Sequence, residues 1–166
     1  MKFVPVDVYS ITLDPESNSP ILILKEKGGD KTLPIWIGLL EATAIATEME
    51  KIEFSRPMTH DLAMSIVKAV DGSISRVAIT DLQDNTYYAL ISLVVGDKVI
   101  EVDSRPSDAV ALALRAQAEI FVNEAIIDRP PGQTETILRS EDLTDEKQRW
   151  ADILEEIDPD IQKYKM

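Results

Sequence analysis

Two short stretches of the sequence repeat one polar pattern about fifty residues apart: "SRPMTHDL" begins at Ser55 and "SRPSDAVAL" begins at Ser104. Each contains an arginine, a proline and an aspartate just before an apolar run. Arginine offers a planar fork of donors that suits phosphate, histidine exchanges protons near neutral pH, and carboxylates hold hard divalent cations. If the two stretches face each other, they form one polar site that includes His60, the single histidine of the chain.

Helix capping is the simpler explanation for both stretches. Thr59 suits a helix N-cap, and Asp61 complements the positive end of a helix dipole. The second stretch exceeds what capping needs, because five polar residues surround the start of its apolar run: Asp103, Ser104, Arg105, Ser107 and Asp108. Two explanations stay open. Arg105 pairs internally with a carboxylate such as Asp61 or Asp108, or the cluster lines a cleft open to solvent, which we favour.

The composition excludes several kinds of site. The chain has no cysteine, so disulfides, thiolate zinc sites and cysteine nucleophiles are excluded, and one histidine cannot build a multi-histidine metal site. Any metal would be held mainly by carboxylates, which favours magnesium, manganese or calcium. The net charge of −13 argues against a generic nucleic-acid-coating protein, which would show a basic face. Neither a signal peptide nor a long apolar run is evident, which predicts a soluble cytoplasmic protein.

The first half of the chain predicts three strands and two helices. Residues 3–13 alternate with period two, "ILILKEK" follows after a turn, and Pro34 within "KTLPIWIG" predicts an edge strand or a bend. The run after Gly38 has helical spacing and ends near Lys51. The first Ser-Arg-Pro stretch opens a second helix, for which the spacing predicts a buried row of apolar side chains: Leu62, Ile66, Val67 and Val70.

The second half predicts three consecutive strands, a helix and a short strand. The runs "SISRVAITDLQ", "NTYYALISLVV" and "KVIEVD" indicate an antiparallel meander. "SDAVALALRAQA" is apolar almost all round, which is typical of a buried central helix, and "EIFVNEAII" returns as a strand. The sequence therefore predicts an α+β fold, with a mixed or antiparallel sheet packed on a few helices. We expect one domain over residues 1–127, and a linker plus an acidic helix over 128–166.

Four motifs carry a resemblance to a known family: "LPIWIGLLEATAIA", "EFSRPMTHDL", "LQDNTYYALI" and "VDSRPSDAVALALR". In order and spacing the chain resembles the bifunctional nuclease domain family of bacteria and plants, over roughly residues 3–127. The resemblance implies a compact α+β unit that self-associates and cleaves both DNA and RNA. It places the family's polar motif residues at Glu41, Arg56, Thr59, His60, Asp61, Asp103, Ser104, Arg105, Ser107 and Asp108. The acidic segment from Ser140 onward does not resemble the helical repair-protein motif of many members, and dimerisation is an alternative role for it.

The leading hypothesis is a divalent-metal-dependent phosphodiesterase acting on DNA or RNA. Magnesium or manganese would be held by carboxylates drawn from Asp61, Asp108, Asp103 and Glu41. His60 would act as general base or acid, and two arginines would hold the scissile phosphate: Arg56 and Arg105. The other polar residues of the two stretches would contact the substrate: Thr59, Ser104 and Ser107.

The acidic charge favours short or single-stranded nucleic acid as the partner, since no basic track exists for a long duplex. Two alternatives have different chemistry. In the first, the arginine–aspartate pairs are structural and the protein is a non-catalytic regulatory or scaffold oligomer. In the second, the same arginines bind nucleotides without cleaving them. A homo-oligomer, a dimer or higher, is expected in either case.

Overall fold

Seven strands form one mixed sheet in the computed structural model, which describes residues 1–127 together with 152–153 and 155–156. In chain order the strands are β1 (Phe3–Leu13), β2 (Pro20–Glu26), β3 (Thr32–Trp36), β4 (Gly72–Gln83), β5 (Thr86–Val95), β6 (Lys98–Ser104) and β7 (Glu119–Asn123). The helices within residues 1–127 are α1 (Leu39–Met49), α2 (Thr59–Ala69), α3 (Pro106–Ala116) and α4 (Glu124–Ile127). The predicted α+β class is confirmed.

Strand β7, the last strand in chain order, lies in the middle of the sheet. The spatial order is β3-β2-β1-β7-β4-β5-β6. Strand β7 pairs antiparallel with β1, where Phe3 lies opposite Asn123, and parallel with β4, where Val77 lies opposite Ile120. It therefore joins an N-terminal antiparallel half to the antiparallel meander β4–β5–β6. The meander and the edge position of the Pro34 strand, β3, were both predicted correctly.

Helix α3 is the central helix of the fold. It begins with Pro106 at its first position, where a missing N–H costs nothing, and its C-cap, Gln117, adopts a left-handed conformation with φ of 53°. Its inner positions are small or β-branched and almost fully buried: Ala109, Val110, Ala111 and Ala113. Small side chains let neighbours approach closely, and α3 packs against α1, α2 and the strands β4, β5 and β7. The prediction of a central, buried helix is confirmed.

Of the four residues predicted to be buried along α2, only Val67 is partly buried, and the other three face outward. Leu62, Ile66 and Val70 are each more than half exposed, whereas Met64 is buried. Positions 60, 64 and 67 share one helical face, so the buried row is the one that contains His60 and Met64. Thr59 is the first residue of the helix and not its N-cap, which is Met58. Polar contacts from the first turn to α3, described below, set this rotation.

Strand β6, at the edge of the sheet opposite to β3, exposes several apolar side chains. Strand β6 pairs only with β5 within the described residues, and most of its side chains are exposed. Three of these are large and hydrophobic: Val99, Ile100 and Val102. An unpaired edge strand presents free N–H and C=O groups to the solvent. Together with the outward row of α2, it leaves a substantial apolar surface uncovered by residues 1–127.

The C-terminal prediction falls mostly outside the described residues, including the whole linker over 128–139. The four described positions of the predicted acidic helix, 152–153 and 155–156, are helical, and Ile153 packs against the main core. Across the described segments, no helix reaches the combination of length and apolar character that a bilayer span needs.

Candidate functional site

The first turns of α2 and α3 meet at a contact between His60 and Asp108. His60 Nε2 lies 2.9 Å from Asp108 Oδ1, and the imidazole is mostly buried. The two residues are 48 positions apart in the sequence, one in each Ser-Arg-Pro stretch. The structure thus brings the two repeated stretches together at the starts of two packed helices.

Arg105 extends this contact to a third helix. Its Nε donates to Asp108 Oδ2 at 2.7 Å, and its Nη1 donates to Glu41 Oε1 in the first turn of α1 at 2.8 Å. The Arg105 side chain nevertheless stays 65% exposed, so both of the open explanations for this arginine apply: it is paired internally and it faces solvent. We call His60, Asp108, Arg105 and Glu41 the polar cluster.

The contacts of the polar cluster favour the charged forms of Asp108 and Arg105. Burial of the Asp108 carboxyl raises its pKa, but hydrogen bonds from Arg105 and His60 outweigh burial, and the net pKa is lowered. The hydrogen bond to Asp108, followed by the one to Glu41, raises the pKa of Arg105. The cluster therefore presents a fixed positive guanidinium beside a carboxylate that remains ionised at neutral pH.

A second arginine makes a separate and more buried pair. The Arg115 side chain is 8% exposed, and its Nε donates to Asp61 Oδ1 at 2.7 Å. Its Nη1 donates to the carbonyl oxygens of Ala44 and Ala111, each at 3.0 Å. Arg115 therefore ties α1, α2 and α3 together.

Both carboxylate oxygens of Asp61 accept hydrogen bonds. Its second oxygen accepts from the backbone N–H of Met58 at 3.0 Å. Burial raises the pKa of Asp61, but the hydrogen bonds from Arg115 and Met58 outweigh it, so the net pKa is lowered. Sequence reasoning assigned Asp61 to the site and missed Arg115. The available signal was an arginine on an otherwise apolar helix, because a buried charge has to be paired.

The four predicted metal ligands do not converge. Asp61 is paired with Arg115, Asp108 and Glu41 share Arg105, and Asp103 lies exposed on β6. Within the described residues, no three carboxylate or histidine side chains are grouped so that they could hold a metal ion. In this arrangement the four carboxylates do not fit one magnesium or manganese ion, which needs several oxygen ligands around it.

The remaining predicted residues lie around the cluster in different roles. Arg56 is exposed in the segment before α2 and makes no hydrogen bond or ion pair to the described residues. Thr59 is exposed at the start of α2, and the Ser104 hydroxyl donates to the carbonyl oxygen of Arg105 at 2.7 Å. Ser107 is buried at the start of α3. The structure therefore places Arg105, but not Arg56, in the polar cluster.

A pocket of about 260 Å³ opens beside the polar cluster and shares Arg105 and Glu41 with it. Its other walls come from β3, the β4–β5 turn and the start of α3, and they include Trp36, Asn85, Tyr87 and Ser107. The Tyr87 hydroxyl is buried without a hydrogen-bond partner in the described structure, and burial raises the pKa of Tyr87 to about 12. Sequence reasoning missed this pocket, because three segments far apart in the chain form it.

Comparison with known proteins gives the family. The family described as "Bifunctional nuclease domain" matches residues 22–134. The chain belongs to the bifunctional nuclease domain family. An uncharacterized protein of Mycobacterium tuberculosis is 38% identical to it over 159 residues, which are 93% of this chain and 95% of that protein.

The plant relatives of this bifunctional nuclease domain are more distant. "Bifunctional nuclease 1" of Oryza sativa subsp. japonica is 26% identical over 116 residues, or 68% of this chain and 35% of the rice protein. "Bifunctional nuclease 2" of Arabidopsis thaliana is 28% identical over 110 residues, or 64% of this chain and 33% of that protein. The chain spans about a third of these plant proteins. The matched segment, residues 22–134, contains the whole polar cluster and the pocket beside it.

Proposed function

We propose that this domain is a nuclease that hydrolyses phosphodiester bonds of nucleic acid at the polar cluster. The observation that carries the proposal is the exposed Arg105 side chain, which Asp108 and Glu41 hold in place beside His60. The family match and the names of the plant relatives support a nuclease. An arginine that is already oriented loses little side-chain entropy when it binds a phosphate.

Each member of the cluster then has a distinct task. Arg105 uses its Nε and one Nη1 donor on carboxylates, which leaves three of the five guanidinium N–H groups for phosphate oxygens. When His60 donates its Nε2–H to Asp108, its Nδ1 carries the lone pair. That nitrogen takes a proton from water as the water oxygen bonds to phosphorus, and it returns the proton to the leaving oxygen as the ester bond breaks. Asp108 fixes the imidazole tautomer and stabilises the imidazolium.

A requirement for Mg²⁺ or Mn²⁺ is a separate proposal with its own test. A divalent cation would stabilise charge that develops on the phosphoryl oxygens. The carboxylates do not fit such an ion as they are arranged, so none of the steps above depends on one. Cleavage that is lost in chelator and restored by manganese would support this separate proposal, and chelator-resistant cleavage would remove the metal from it.

The substrate that we propose is short or single-stranded. The chain carries a net charge of −13, which repels a long polyanion, and binding must rely on local contacts. Phosphate capture by Arg105 alone predicts that the logarithm of the binding constant falls by about 0.7 per unit of log salt concentration for a single strand. A slope near zero would argue against phosphate capture by arginine.

The deciding experiment compares cleavage of labelled single-stranded RNA and DNA by wild type, His60→Gln and Asp108→Asn. We expect each variant to lose about 10²–10⁴-fold in rate, the usual contribution of a positioned acid–base group. Asp97→Asn is the matched control, because Asp97 is an exposed carboxylate in the β5–β6 turn, outside the cluster. If all four proteins cleave equally well, the activity comes from a contaminant and the assignment of the site is wrong.

A non-catalytic oligomer is the second candidate function, and the uncovered apolar surface favours it. The outward row of α2 and the edge strand β6 expose large hydrophobic side chains, and such patches mark interaction surfaces. We propose that a second copy of the chain covers this surface. Ile66→Glu and Ile100→Glu should then lower the mass measured by light scattering, whereas Lys68→Glu should not. If the wild type is a monomer at micromolar concentration, this candidate is excluded.

A further inference from the structure

We propose that Gly38 is a positioning residue for Arg105, because it leaves the space in which the Glu41 carboxylate holds the guanidinium. Gly38 lies directly before α1, and Glu41 lies in the first turn of that helix. The expected effect on cleavage rests on the proposed function, whereas the effect on Arg105 itself does not. A residue without a side chain thereby contributes to the capture of phosphate.

The Glu41 carboxylate packs directly on Gly38. A Cβ atom at position 38 would overlap Glu41 Oε2 and would lie 3.1 Å from Glu41 Cδ, which is tighter than an ordinary van der Waals contact. The carboxylate therefore occupies the place where any other residue would begin its side chain. Its other oxygen, Oε1, accepts the hydrogen bond from Arg105 Nη1 at 2.8 Å. One carboxylate thus contacts the glycine with one oxygen and the arginine with the other.

The backbone at position 38 gives no separate reason for a glycine. Gly38 has φ of −75° and ψ of 162°, an extended conformation that any L-residue adopts. It is also the N-cap of α1, where serine, aspartate or asparagine would add a hydrogen bond from the side chain to the first turn. Glycine forgoes that bond. The space beside Glu41, and not the backbone conformation, therefore accounts for the missing side chain.

Two carboxylates on different helices orient Arg105. Asp108 in α3 accepts from Nε, and Glu41 in α1 accepts from Nη1. Either bond alone would hold a side chain that is 65% exposed at a single point, whereas the two together fix the plane of the guanidinium. The three remaining N–H groups then point in a defined direction. The ordering that phosphate binding would otherwise require is present beforehand.

Gly38→Ala should displace Glu41 without unfolding the chain. The displaced atoms are the far end of a flexible side chain, and alanine fits the extended backbone, so Tm should not fall. Gly29→Ala is the matched control. A Cβ at position 29 would likewise overlap the carboxylate of Glu26, but in the β2–β3 turn, at the opposite end of β3 from Gly38. Gly29 also lies outside the left-handed region, so alanine fits there too.

The first experiment observes Arg105 by NMR in the full-length protein, without any substrate. The Nε–H signal of Arg105 is assigned by its loss in Arg105→Lys, and its heteronuclear NOE reports the order of the side chain on the ps–ns timescale. We expect a lower NOE in Gly38→Ala and in Glu41→Ala, and the wild-type value in Gly29→Ala. An unchanged NOE in Gly38→Ala would overturn the proposal.

The second experiment measures the cleavage of labelled single-stranded RNA. Gly38→Ala should raise KM about 2–13-fold, the cost of ordering one side chain, and leave kcat nearly unchanged. Gly38 also lines the pocket beside the cluster, so its new methyl group could obstruct the substrate directly. The Glu41→Ala background separates the two effects, because no carboxylate is left there to displace, and Gly38→Ala should add nothing. An equal rise in KM in that background would overturn positioning through Glu41.

The failure of this proposal is distinguishable from the failure of the proposed function. A lower NOE for Arg105 in a protein that cleaves nothing would keep the role of Gly38 and reject the nuclease. Cleavage with the wild-type KM and the wild-type NOE in Gly38→Ala would reject the role of Gly38 and keep the nuclease.

Discussion

Two arginines of the second Ser-Arg-Pro segment and its helix should respond to the same substitution in opposite ways. Arg115 is buried at 8% exposure and bonds to Asp61 and two backbone carbonyl oxygens. Arg105 is 65% exposed. We predict that Arg115→Ala destabilises the fold and that Arg105→Ala leaves it nearly intact while abolishing nuclease activity.

The expected magnitudes follow from burial. Removing one partner of a buried ion pair costs about 3–5 kcal/mol, because the other charge is left unpaired. The Asp61 side chain is 36% exposed, and water partly compensates it, which places Arg115→Ala at the lower end, about 3 kcal/mol. That loss corresponds to a fall in Tm of about 6–12 °C for a chain of this size. Exposed ion pairs contribute about 0–1 kcal/mol to stability, so Arg105→Ala should lower Tm by at most about 4 °C.

Thermal unfolding followed by circular dichroism, with urea titrations in parallel, measures both values. Arg115→Lys is an informative control, because it keeps the charge but cannot reach three acceptors. Its Tm should therefore lie between those of wild type and Arg115→Ala. A fall in Tm for Arg105→Ala as large as that for Arg115→Ala would refute the reasoning. The ion pairs of the polar cluster would then be structural.

Three further predictions concern stability. Tyr87→Phe removes a buried hydroxyl that has no partner among the described residues, so the urea midpoint should rise by an amount equivalent to about 1 kcal/mol, and a fall would contradict the burial argument. Met64→Ala should cost about 2–5 kcal/mol, whereas Ile66→Ser on the outward row of α2 should change the free energy of unfolding of the monomer by less than about 0.5 kcal/mol. Equal losses in the monomer would mean that the row predicted from sequence is buried after all. Asp61 and Asp108 have lowered pKa values in the folded state, so the stability that they contribute is present above the ordinary aspartate range and is lost as pH falls through their folded pKa values. Asp108→Asn should flatten acid unfolding in that window, and an unchanged profile would contradict the assignment.

The features predicted correctly from sequence are those that local rules determine. Pro34 has no backbone N–H to donate to a neighbouring strand, so it indicated an edge strand. Period-two runs separated by turns predicted the β4–β5–β6 meander. The Arg105–Asp108 pair, which the sequence left open as one of two explanations, also agrees with local spacing, since residues three apart on a helix are neighbours. These inferences need no knowledge of the rest of the fold.

The features that the sequence missed depend on contacts between distant segments. Helix α2 has two apolar rows, and periodicity alone does not say which one faces inward; the bonds of His60 and Asp61 to α3 decide it. The assignment of Asp61 to a metal assumed a free carboxylate, whereas Arg115, 54 residues later, occupies it. Ile35, Tyr87 and Ser107 line one pocket only because strands β3 and β5 and the start of α3 converge there.

The insertion of β7 between β1 and β4 has a consequence for how the chain folds. Strands β1–β3 and β4–β6 can each form as local hairpins, but the sheet is not continuous until residues 119–123 have left the ribosome. Until then the inner edges of β1 and β4 are open templates for pairing with other chains. Closing contacts as distant as Phe3 with Asn123 makes this final step slow. Truncation before Glu119 should therefore yield an aggregating chain instead of a smaller, stable domain.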